Sequence, residues 1–128
     1  MEIALRIALL DWLASDPALQ EVNAFEEESP VRASPPWLGI AASASRDFGT
    51  KTHAGREVRL ALELQSRGDD IAGDGVLVSA IDSRVESFPQ DHAEFTVASC
   101  TFLRGRAERR DDNLRATLLE YRFRLIAN

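Results

Sequence analysis

From Leu118 to Leu125 the chain alternates residue by residue. Leu119, Tyr121, Phe123 and Leu125 fall on one side; Leu118, Glu120, Arg122 and Arg124 fall on the other. A period of two with a largely charged outer side belongs to a half-buried strand. Upstream, the stretch beginning at Glu94 reads as its partner. There Phe95, Val97 and Leu103 lie on one side and Ala98, Cys100 and Phe102 on the other. Apolar residues on both sides imply a strand covered on both faces, by helices or by another subunit. Arg106 to Asn113 is hydrophilic and of a length that suits a hairpin connection, though not a tight one. The two strands predict a hairpin at the centre of a sheet, and the rest of the chain must supply what packs on it.

The first candidate is the N-terminus. Ile3, Ile7, Leu10 and Ala14 recur at helical spacing, Leu9 and Leu13 widen the stripe, and Glu2, Arg6 and Asp11 belong to the opposite side. The spacing predicts an amphipathic helix of about four turns that stops before Asp16-Pro17, because proline restricts the residue ahead of it. Glu2, Arg6 and Asp11 interrupt the apolar run and no basic region precedes it, so an ordinary helix is expected rather than a secretion signal. A short turn, Pro17 to Val22, is expected to extend it. Asn23 to Pro36 then reads as loop, with an acidic patch at Glu26, Glu27 and Glu28.

Trp37 to Ala42 is the first expected strand, and Ser43 to Arg56 a polar loop. Val58, Leu60, Leu62 and Leu64 form the inner side of a second strand, with Arg59, Glu63 and Gln65 outside. Asp69 or Asp70 caps a second helix whose stripe is Ile71, Val78 or Leu77, Ile81, Val85 and Phe88, closed by Pro89. Gly73 and Gly75 predict an irregular first turn. The order helix, strand, strand, helix, strand, strand implies an α+β domain over residues 1–128. Its expected form is a mostly antiparallel sheet of about four strands with two helices packed on one face.

Function is constrained mainly by exclusion. A chain of 128 residues with net charge −6 and an isoelectric point near 4.9 is a poor nucleic-acid binder. No apolar run approaches the roughly 20 residues that span a bilayer. The single cysteine, Cys100, excludes an internal disulfide and reads as a small buried hydrophobe; a cytoplasmic origin is expected. His53 and His92 have no metal-spaced partner, and Asp69, Asp70 and Asp74 read as helix-cap and first-turn acids rather than a metal cluster. No nucleophile, base and orienting group assemble, so no catalytic residue, cofactor or metal is expected. Between Arg104 and Asp112, four arginines are offset by Glu108, Asp111 and Asp112, with no aromatic platform for bases. Ion pairing or a subunit contact suits that turn better.

The leading helix with its Asp-Pro stop comes first, then Pro-Pro-Trp-Leu-Gly-Ile, the segment Val58 to Val85 and the closing Leu-Glu-Tyr-Arg-Phe-Arg-Leu-Ile-Ala. Together they resemble the tail-terminator (tail-completion) proteins of long-tailed phages and related gene transfer agents. The resemblance implies a structural virion protein, a homohexameric ring that caps the head-proximal end of a tail tube and joins it to the head connector. The implied partners are its own copies, the tube protein and the connector or stopper, with DNA passing through unbound and no membrane. A ring is a head-to-tail assembly and needs two unlike patches on each copy. Candidate contact residues are Arg104, Arg106, Arg109, Arg110, Arg122, Arg124 and the acids Glu26, Glu27 and Glu28. The alternative is a small cytoplasmic adaptor that binds a protein on its apolar sheet face.

Overall fold

The computed structural model describes residues 1–27 and 33–128. It contains helices α1 (Glu2–Ala14) and α2 (Ile71–Glu86) and strands β1 (Phe25–Glu26), β2 (Trp37–Asp47), β3 (Gly55–Arg67), β4 (Phe95–Arg109) and β5 (Leu114–Ala127). The sheet order is β1-β2-β3-β5-β4. Only β1 and β2 run parallel; every other pair is antiparallel. The class is the expected one, α+β with two helices on one face, and the two-residue β1 adds a fifth strand in a segment read as loop. The hairpin is not at the centre. β5 lies between β3 and β4, and β4 is the edge.

The alternation in β5 is exact. Leu119, Tyr121, Phe123 and Leu125 join Val58, Leu60, Leu62 and Leu64 of β3 in the core under the helices. β4 departs from expectation in an instructive way. Its register against β5 slips between Val97 and Ser99 and again between Phe102 and Arg104. Each bulge adds one residue and reverses the alternation downstream. Phe95, Val97, Cys100 and Phe102 therefore pair with Ala127, Leu125, Phe123 and Tyr121, all on the helix side. Leu103 apart, which lies on the opposite face, the strand is apolar on one face, and its two-faced look in sequence is mainly the arithmetic of two extra residues.

The hairpin connection is also shorter than Arg106 to Asn113. Strand pairing persists to Arg109↔Arg115, and the chain turns with Leu114 N–H donating to the Asp111 carbonyl. Asp112 and Asn113 both sit at φ 59°, the left-handed pair that a type I′ turn demands and that Asp and Asn tolerate. Likewise the Ser43–Arg56 loop shrinks. β2 runs on through Asp47 after a bulge between Ile40 and Ala42, and every residue from Ala41 to Asp47 is exposed.

In α1 the buried residues are Leu5, Leu9, Leu10 and Leu13, while Ile3 and Ile7 are 64% and 55% exposed. The expected stripe is therefore rotated. Glu2 and Arg6, expected in water, instead turn toward the sheet edge, where Glu2 pairs with Arg56 at 3.0 Å and Arg6 with Glu27 at 2.8 Å. In α2, Leu77, Ile81, Val85 and Phe88 are buried, Val78 is half-buried, and Ile71 is 66% exposed. Its first turn is regular. Asp70 accepts from the Gly73 N–H at 2.9 Å, and a Cβ on Gly73 would strike that same carboxylate. The glycine makes room for the cap.

Candidate subunit interface

The two faces of the sheet differ completely. One carries the apolar core under α1 and α2; the other carries the outward side chains of β2, β3, β5 and β4. Five of the six arginines singled out in sequence converge on this open face, because Arg104, Arg106, Arg110, Arg122 and Arg124 share one strand parity once the bulges are counted. Most are already paired within the chain. Arg104 grips Glu120 through two bonds of 2.6 and 3.1 Å. Arg110 reaches Glu63 at 2.8 Å and Glu108 at 3.2 Å, and Arg106 reaches Glu108 at 3.1 Å.

The densest knot surrounds Glu57, only 3% exposed. Arg46 approaches it at 2.6 Å, Arg124 at 3.1 Å and Arg122 at 4.0 Å. The hydrogen bond from Arg46, then that from Arg124, holds the Glu57 carboxyl below its ordinary value of 4.5 against the opposing effect of burial. Arg104 does the same for Glu120. Arg46, Glu57, Arg59 and Glu63 were absent from the candidates. The alternation of β3 already placed Arg59 and Glu63 outside; Arg46 was hidden because its segment reads as loop.

The remaining candidates lie elsewhere. Arg109 falls on the helix side and forms no ion pair among the described residues. It borders an open groove of about 370 Å³ between α2 and the hairpin, lined with Ile71, Gly75, Val78 and Ala107. Glu26 is exposed in β1 at the far edge of the sheet, and Glu27 is taken by Arg6. Glu28 lies outside the described residues.

Asp74 pairs with Arg115 at 2.8 Å and ties the first turn of α2 to β5. The His92 ring stacks between Phe88 and Phe95, with centroids 4.6 Å from each. Tyr121 donates to Asp82 at 2.7 Å; burial, then that bond, raises its pKa. Burial, with Asp82 and Glu86 nearby, pushes the Cys100 thiol up to about 11, so it is not a thiolate at neutral pH. Among the described residues, no group of three or more His, Cys, Asp or Glu is placed to hold a metal ion.

The fold is shared with a component of a viral-type particle. A chain of the solved virion of a native gene transfer agent particle matches with a TM-score of 0.79 and 18% identity, over 95% of this chain and 94% of that one. At that identity the likeness establishes the architecture alone: a two-layer α+β protein of the kind found in that virion. The family model described as tail completion protein gp17 matches residues 7–126. The chain belongs to the tail completion protein gp17 family, as its sequence pattern implied, and a structural role in a phage-like tail comes with that membership. No curated protein matches it.

Proposed function

We propose that this protein forms a ring, a hexamer by the family resemblance, that caps the head-proximal end of a tail tube and presents the opposite surface to the head connector. The observation that carries the reading is the family match, which spans the whole body of the fold from α1 to the end of β5. The geometry supports it. The sheet is open at both ends, with β4 at one edge and the long exposed part of β2 beside β1 at the other. Each copy thus has two unlike flanks, as a head-to-tail ring requires. In this reading residues 1–128 act as one unit, with tube protein, connector and further copies as partners, and DNA traverses the ring without specific contacts.

The adaptor reading loses its surface. The apolar sheet face it needed is buried under α1 and α2. The test is mass and activity together. Purified protein, alone or on tube ends, is expected at six times the 14.2 kDa of one chain, and its addition is expected to arrest elongation of tube protein. A chain that stays monomeric in both settings, or leaves elongation running, refutes the reading.

A further inference from the structure

Formal charge is distributed very unevenly. By strand parity, eight arginines (Arg67 at the end of β3 among them) and four glutamates share the open face, a surplus of four positive charges. The whole chain is at −6, so the remainder stands at −10. Within the face the surplus is concentrated. Arg59 and Arg122 are directly opposite across β3 and β5, a like-charge pairing that costs stability. Arg59 forms no ion pair among the described residues. The Arg122 Nε–H is buried without an acceptor, and Glu57, its nearest carboxylate at 4.0 Å, is already engaged by Arg46 and Arg124.

Beside this pair lies a depression of about 330 Å³. Its floor is apolar, with Ala42, Ala44, Ala61 and Leu103, and its rim carries Arg59 together with Arg104 and the Glu120 that Arg104 grips. Small residues on adjacent strands leave room there, and the second bulge in β4 puts Leu103 on this side rather than in the core. With Glu120 held by Arg104, Arg59 is the charge at the rim left without an ion pair among the described residues, above a hydrophobic base. A carboxylate entering the depression offsets the Arg59–Arg122 repulsion and offers the planar Arg59 guanidinium an acceptor in the geometry it favours.

We propose that this depression receives an acidic side chain of a second copy of the chain, and so forms one half of a head-to-tail contact in the assembly. The inference rests on the ring reading above. Charge complementarity selects the occupant, because the acid surplus that matches the basic face is carried by the same chain. A phosphate backbone fits less well: beyond Glu120, which a single side chain also meets but which Arg104 already holds, it would run across Glu57, Glu63 and Glu108 on the same face and meet their repulsion.

The test compares assembly by sedimentation over a concentration series at about 0.15 M salt, the physiological range. Arg59→Glu is expected to raise the concentration for half-assembly about tenfold or more without lowering the thermal midpoint, since Arg59 is exposed, spends no intrachain ion pair and faces Arg122 across the strands. Ala44→Phe fills the depression without altering charge and is expected to act in the same direction. It also carries the test if the charge reversal disturbs folding. If both variants assemble like the parent, the inference is overturned and the ring reading stands. If the parent itself never assembles, alone or on tube ends, the ring reading falls and the inference with it. If Arg59→Glu instead abolishes an affinity for a 20-base-pair duplex and leaves assembly intact, the occupant is nucleic acid and the second-copy assignment is wrong.

Discussion

Leucines, not isoleucines, decide where α1 sits. The helix is apolar over most of its circumference, so two overlapping stripes exist, Ile3–Ile7–Leu10–Ala14 and Leu5–Leu9–Leu13. Burial selects the second, with Leu5, Leu9 and Leu13 fully enclosed. Leu9→Ala is expected to lower unfolding free energy by about 2–5 kcal/mol, and Ile7→Ala by less than about 0.5 kcal/mol, both measured by urea denaturation. Equal losses at the two positions contradict this packing. At Glu57 the expectation concerns pH. Its folded-state pKa is depressed, mainly by Arg46 and then Arg124. Its contribution to stability is therefore complete above the ordinary value of 4.5 and disappears as pH falls through the lower folded value. Glu57→Gln is expected to melt at lower temperature than the parent at pH 7, and the gap is expected to narrow as acidity increases below pH 4.5. A gap that widens on acidification means the carboxylate is not held charged by its arginines.

Between elements, the two helices are joined by a polar latch as well as by leucines. The Arg84 guanidinium lies 3.5 Å from the centre of the Trp12 ring. It donates to the Trp12 carbonyl and the Ser15 hydroxyl, each at 2.8 Å, and the Trp12 indole N–H donates back to the Arg84 carbonyl at 2.7 Å. One of the acceptors is the Trp12 carbonyl, in the last turn of α1, where intrahelical partners run out. Arg84→Met keeps the stem and removes two donors and the cation, so a loss of about 1–3 kcal/mol is expected. The matching readout is a change in Trp12 fluorescence in the folded state. An unaltered emission spectrum shows that the ring does not sense the guanidinium.

Over the whole molecule, stability is graded from the middle outward. β3 and β5 are paired along their length and lie under both helices, whereas the far half of β2 and residues 48–54 have neither cover nor a second strand partner. Amide exchange is expected to be slowest at Val58–Leu64 and Leu119–Leu125 and fastest at Ala42–Ala54, by the relation between local opening and buried contact. Uniform protection across β2 in the isolated chain contradicts this ordering; protection gained there only on assembly marks that edge as a contact between copies.

Much of this was readable from residue order. Strict alternation in β3 and β5 fixes which side chains face in, since a strand has one phase once its first core residue is known. The capping aspartate, the Pro17 stop and the α+β class follow from equally local chemistry, and so does the family pattern. What residue order left open was phase and extent. In β4, two bulges shift the alternation by one residue each, and bulges are decided by pairing with β5 rather than by β4 itself. In α1, two stripes of similar hydrophobicity compete, and only the sheet below chooses between them. The Arg46–Glu57–Arg124 knot joins three strands, and the pairing that brings them together is a long-range outcome of sheet order. Local propensity and periodicity are properties of a segment; register, helix rotation and charge pairing belong to two segments at once, so only the tertiary structure decided them.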